Sequence, residues 1–118
     1  LIPQYSVTRS EAAREDLEQI FNHLLDAQLD FGESIEDACH SAQQRIQGVE
    51  LAMARPGTAP HQGTRRDDLM HGLRQVTKAR AIFYFTVDEA LGNVNVLAIF
   101  FGGRDHQRHL LKRLLGGT

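Results

Sequence analysis

Apolar positions recur at helical spacing in the first half of the chain and at strand spacing in the second. Tyr5 and Val7 alternate with polar neighbours, which predicts a short strand over Gln4 to Thr8. Thr8, Arg9, Ser10 and Glu11 match a capping box, with Ser10 as a rival cap two residues on. A helix is expected from there to about Leu29. Its stripe of Ala13, Leu17, Ile20, Phe21, Leu24 and Gln28 should face a core. Glu11, Glu15, Asp16 and Glu18 stand in the early turns, where the helix dipole favours negative charge. Phe31-Gly32 breaks the run. A second helix is expected over Ser34 to Met53, with Ile35, Cys39, Ala42, Ile46, Val49 and Met53 inward. Two such helices joined by a short turn should form a hairpin. Gly48 sits in the second helix at a cost of about 1 kcal/mol relative to alanine, and the sequence gives no account of it.

Arg55 to Gly63 reads as a linker, because Pro56-Gly57 and Pro60 oppose regular structure. Strands are then expected over Leu73 to Val76, Arg80 to Val87 and Val94 to Phe101. Asp88, Glu89, Gly92 and Asn93 mark the turn between the last two. The last strand is apolar on both faces, as a strand covered on both sides would be. After Gly102-Gly103, Asp105 to Leu115 should form a final helix with Leu110, Leu111, Leu114 and Leu115 on its apolar edge. The expected architecture is therefore α+β. An N-terminal strand and a two-helix hairpin precede a mainly antiparallel sheet with a short C-terminal helix.

A length of 118 residues suits one domain spanning the chain. The single cysteine, Cys39, cannot form an internal disulfide, which fits a reducing, cytoplasmic setting. No apolar run reaches membrane-spanning length and no secretory leader is visible, so no membrane role is expected. The net charge of −2 hides an asymmetry. Residues 1–54 hold three arginines against ten acids, a net of −7, and residues 55–118 hold ten basic residues against five acids, +5. A basic second half could meet nucleic acid or an acidic protein despite the near-neutral total.

Arg65, Arg66, Arg74, Lys78 and Arg80 are the candidates for a positive patch, and such a patch attracts RNA, DNA or an acidic tail alike. Arg74 stands out, because a guanidinium can grip a phosphate or carboxylate with two prongs. Its structural alternative is a pair with Asp67 or Asp68. Arg104 follows two glycines that permit close approach of a ligand. His23, His40, His61 and His71 do not fall into a metal-ligand spacing, so no metal is expected. No glycine-rich phosphate cradle and no other cofactor motif is present.

Four segments together resemble the ParE/RelE toxin family, with the ParE branch fitting best. They are Ala12 to Phe21; Arg66-Asp67-Asp68-Leu69 with Gly72-Leu73-Arg74; Ala81-Ile82-Phe83-Tyr84-Phe85; and Val94 to Phe101 followed by Gly102, Gly103, Arg104 and Asp105. The likeness runs from Tyr5 to Leu111 and rests on order and spacing, since no single motif is specific. It implies a toxin neutralised by a cognate antitoxin in a toxin–antitoxin hetero-oligomer. ParE-type members poison DNA gyrase by binding. RelE-type members cleave messenger RNA at the ribosome.

RelE-like ribonucleases place a tyrosine or histidine near the end of the last strand, where this chain has Ile99, Phe100 and Phe101. Phe101 also replaces the histidine common before the first glycine. A phenylalanine moves no proton, so the gyrase reading is favoured, with no catalytic residue, and mRNA cleavage is the alternative. His106 and His109, three apart on the expected last helix, are the substitutes a ribonuclease would need. A third possibility is a non-toxic relative that keeps only antitoxin binding. Arg65, Arg66, Arg74, Arg80 and Arg104 are the expected target-binding residues. Tyr84, expected as a packed ring with its hydroxyl at the surface, joins Phe100 and Phe101 as the expected antitoxin-binding set.

Overall fold

The computed structural model describes residues 5–54, 60–101 and 106–115, and only the backbone at 54 and 106–109. The elements are β1 (Ser6–Arg9), α1 (Glu11–Asp30), α2 (Ile35–Ala54), β2 (Thr64–Arg65), β3 (Arg74–Lys78), β4 (Ala81–Asp88), β5 (Asn93–Phe101) and α3 (His106–Leu114). This is the expected α+β order, with one addition. The two-residue β2 extends the sheet just after the expected linker, at residues to which no element was assigned. The strands lie in the order β1-β5-β4-β3-β2, with β1 parallel to β5 and the other pairs antiparallel.

The cap of α1 is Ser10, not Thr8: its hydroxyl accepts from the Ala13 amide at 3.1 Å. Thr8 stays in β1, paired beside Asn95, so the strand extends past the proposed box. The helix ends in a Schellman turn. Gly32, at φ 89°, donates to the Leu29 carbonyl, and Glu33 donates to that of Gln28. Ser34 then caps α2 by accepting from the Asp37 amide at 3.2 Å.

Ala13, Leu17, Ile20 and Leu24 from α1, with Ala42, Val49 and Met53 from α2, pack on Phe83, Phe85, Val94, Val96 and Ile99 of the sheet. Ile35, expected on this stripe, is 70% exposed, and Cys39 is only half-buried. Ala38 is buried, and the stripe joins the core on the sheet from Ala42 onward, because Ile35 lies in the first turn, at the free end of the hairpin.

A β-bulge settles how β5 serves that layer. Phe85 pairs with Val96 and Tyr84 with Ala98, which leaves Leu97 extra. The inserted residue reverses the face parity. Val94 and Val96 before it, and Ile99 and Phe101 after it, therefore all join the hairpin-side core. On the opposite face Leu73, Tyr84 and Ala98 are closed over by Leu110 of α3, with Phe100 and Leu114 at the margin. The final helix thus covers the second sheet face.

Two hairpin turns contrast. Between β4 and β5, the Asp88 carboxylate accepts from the Leu91 amide at 3.1 Å and Gly92 takes φ 63°. Between β3 and β4 the two-residue loop is Ala79-Arg80, at φ 52° and 64°. That conformation belongs to Asn-Gly, and side chains other than glycine hold it under strain.

Candidate functional site

The expected basic residues occupy β2, β3 and the turns around them, and the structure divides them. Arg65 pairs with Arg74 across β2 and β3. Lys78 lies on the same face of β3, which Val76 turns toward the helical hairpin. Arg66 points to the other face. It donates to the Gln75 side chain at 2.6 Å, and Gln75 pairs with Tyr84. Arg80 is exposed at the tip of the strained turn. Arg104 lies outside the described residues, as do the side chains of His106 and His109.

Most of these arginines already have partners. Arg74 donates to the His61 carbonyl at 2.7 Å and so holds the segment entering β2; it does not pair with Asp67 or Asp68. Those acids serve the neighbours instead. Arg65 meets Asp67 at 3.0 Å, and Arg66 grips Asp68 with two prongs at 3.0 and 2.9 Å. Asp67 also accepts from the Gly72 amide at 2.7 Å. That amide bond, then Arg65, holds the Asp67 carboxyl below its ordinary range. Arg66 does the same for Asp68, and the Asp68 bond raises the Arg66 guanidinium in return. An anionic ligand at Arg65 or Arg66 would compete with a carboxylate already seated. At Arg80 no carboxylate pairs among the described residues.

The three expected antitoxin-binding residues sit at unequal depth. Tyr84 is a packed ring as expected, but its hydroxyl does not reach the surface: the whole residue is buried, because α3 lies over it. Burial raises its phenol above the ordinary range, so at neutral pH it is a protonated packing group. Phe100 stands edge-on to it with ring centres 6.1 Å apart. Phe100 and Phe101 remain half-buried, and each carries an arginine over its ring: Arg113 over Phe100 at 5.7 Å and Arg45 over Phe101 at 5.8 Å. The end of β5 therefore has an aromatic ring and a guanidinium on each face.

A second feature of β5 escaped the sequence. Strand β1 pairs only as far as Val96, and among the described residues no strand covers the rest of that edge. Asp16, read as one more acid of an early helical turn, is 6% exposed and accepts from the Ile99 amide at 2.9 Å. Arg113 binds the same carboxylate at 2.8 and 2.9 Å and also donates to the Leu97 carbonyl at 3.1 Å. The Asp16 bond raises the Arg113 guanidinium further. The available signal was an aspartate at the i−1 position to Leu17 on the apolar stripe, which is weak.

Among the described residues, His61 meets Glu89 at 2.9 Å and His71 lies 3.7 Å from Asp67. No group of three or more His, Cys, Asp or Glu side chains among them could hold a metal ion. No described helix is long and apolar enough to cross a membrane.

No protein-family model and no curated protein matches the chain. Solved structures do. The chromosomal ParDE toxin–antitoxin system of P. aeruginosa superposes with a TM-score of 0.64 at 18% identity, covering 85% of this chain and 98% of that one. The RelBE2 toxin–antitoxin complex of Mycobacterium tuberculosis superposes with a TM-score of 0.53 at 15% identity, over 88% of this chain and 98% of that one. Helical hairpin, five-stranded sheet and covering C-terminal helix together give this chain the RelE/ParE-like toxin fold.

Proposed function

We propose that the chain is the toxin of a toxin–antitoxin pair, that it poisons DNA gyrase by binding, and that a cognate antitoxin neutralises it. The observation that carries this reading is the end of β5. Phe100 and Phe101 stand where a ribonuclease of this fold would keep its proton-transfer group. The one tyrosine nearby, Tyr84, is buried and held protonated. The Arg45 guanidinium over Phe101 suits contact with an anionic or acidic surface and needs no chemistry, whereas Arg113 beside Phe100 is already held by Asp16. The likeness to a ParDE system supports the same branch. Target contact is assigned to Arg80 and Arg104, with Arg65, Arg66 and Arg74 exchanging their present partners for the target.

Purified chain added to gyrase and supercoiled plasmid tests this. Accumulation of cleaved DNA bound to gyrase is expected, with filamentation and DNA-damage signalling on expression in bacteria. Rapid loss of messenger RNA by cuts inside codons, with gyrase untouched, would refute it. Arg80→Ala and Arg104→Ala should each weaken toxicity, and full toxicity in both removes the assigned contact. Co-purification with the product of the adjacent open reading frame tests the antitoxin.

A further inference from the structure

The cations of the chain divide by what they touch. Arg9, Arg14, Arg65, Arg66 and Arg113 each hold a carboxylate, and Arg74 holds a backbone carbonyl. Arg45, Lys78 and Arg80 pair with no carboxylate among the described residues. These three gather at one place. Lys78 lines an open groove of about 320 Å³ with Gly48, Leu51, Ala52 and Ala79, where α2 passes the β3–β4 turn, and the lining is mainly polar. Arg80 follows at the tip of that strained turn. Arg45 stands one helical turn before Gly48 on α2.

The sheet fixes their order. Phe101 pairs with Ala81, and Ala81 with Lys78. Neighbouring strands lie about 4.8 Å apart, so Phe101 and Lys78 are separated by about 10 Å. Arg45 lies over the Phe101 ring, which steadies its guanidinium and leaves its donors free. A duplex strand carries a phosphate for about every 3.4 Å of axis, so about three phosphates match this row of cations. Gly48 lies within the continuous helix α2, and a side-chain carbon there would meet nothing within 4 Å, so the groove is bare backbone at that point and a ligand can come close. An open, mainly polar groove is a poor seat for the apolar anchor that a protein partner would bring. A single strand would need aromatic platforms for its bases, and the ring at this groove is already covered by Arg45.

We propose that Arg45, Lys78 and Arg80 bind the phosphate backbone of duplex DNA, whatever its sequence. Resting on the gyrase reading, this puts the chain in contact with the DNA that gyrase holds as well as with gyrase itself. The guanidiniums and the ammonium take phosphate oxygens, and no base is read.

Fluorescence anisotropy of a short labelled DNA duplex, titrated with the purified chain, tests this without gyrase. Three backbone contacts predict that binding weakens about fortyfold between about 50 and about 200 mM salt. Lys78→Ala removes one contact and should reduce that factor to about twelvefold. Arg80→Gly should do the same while raising the thermal midpoint, because glycine suits the positive φ at that position. An unfolded variant would lose both. Lys112→Ala, on the helix that covers the other sheet face, should leave the salt dependence unchanged. No duplex binding at about 50 mM salt, a salt dependence unmoved by both Lys78→Ala and Arg80→Gly, or tighter binding of single-stranded RNA of equal length overturns the proposal. Gyrase-linked breaks caused by a chain that binds no duplex would remove this inference and leave the gyrase reading standing. Duplex binding without such breaks would do the reverse.

Discussion

Asp16 of α1 and Arg113 of α3 form a two-pronged ion pair across the open edge of β5, at 2.8 and 2.9 Å. The helices lie on opposite faces of the sheet, so the pair ties the two layers together. Asp16 also takes the Ile99 amide and Arg113 the Leu97 carbonyl, so the same two side chains satisfy backbone groups that no strand reaches. An exposed strand edge invites association with another chain, and the ion pair occupies part of this one.

Removing one partner should be worse than removing both. Asp16→Ala strands a guanidinium and the Ile99 amide, and the expected loss is about 3 kcal/mol. Arg113→Met should also lose about 3 kcal/mol, because it leaves the Asp16 carboxylate, only 7% exposed, with the Ile99 amide but without its counter-charge. The double variant should be more stable than the sum of the single losses implies. Urea denaturation of all four proteins measures the coupling, and purely additive losses would contradict it.

Replacing the Ala79-Arg80 turn by Asn-Gly should stabilise the fold by about 1 kcal/mol, since both residues now hold positive φ without the chemistry that favours it. The thermal midpoint reports this directly. No gain would mean that neighbours already relieve the strain.

Gly63→Ala should destabilise. Gly63 takes φ 81°, and a side-chain carbon there would run into the Gln75 backbone carbonyl. Backbone cannot move aside as a flexible side chain can, so a loss of about 2 kcal/mol or more is expected in the urea midpoint. Gly48→Ala, with open space around it, should instead gain about 1 kcal/mol.

The pH dependence has two limbs. Asp67 is held below its ordinary range by the Gly72 amide and Arg65, and Asp68 by Arg66. Groups depressed on folding stabilise above the unfolded carboxyl value of about 3.9 and lose that effect as pH falls through the folded value. The stability difference between wild type and Asp67→Asn should therefore shrink as pH drops below about 4. Tyr84 is shifted the other way by burial. Its contribution is complete below about pH 10 and fades as pH rises toward the folded value. Tyr84→Phe should remove that alkaline limb of the urea-midpoint profile. A difference that persists in acid, or an unchanged alkaline limb, would contradict the assignments.

Apolar periodicity placed α1 and α2, and runs of aromatic and branched residues placed β4 and β5, each to within a few residues. The two-residue β2 was illegible, since a strand that short has no period and exists only through its partner β3. Ser10 over Thr8 as the cap was decided by how far β1 continues along β5. In the candidate site, the identity of the basic residues was readable but their grouping was not. Neighbouring residues in a strand point to opposite faces, and that separates Arg65 from Arg66 although they are adjacent.

The sequence by itself determined the elements, the α+β class and the charge asymmetry between the two halves, because spacing and composition are local properties. Tertiary structure decided that Asp16 is a buried tie, that Tyr84 is sealed beneath α3 and that Arg74 holds a backbone carbonyl. Each of these depends on which distant segment arrives at a given face or edge. Asp16 and Arg113 are 97 residues apart, and no local pattern encodes a contact that only the folded sheet creates.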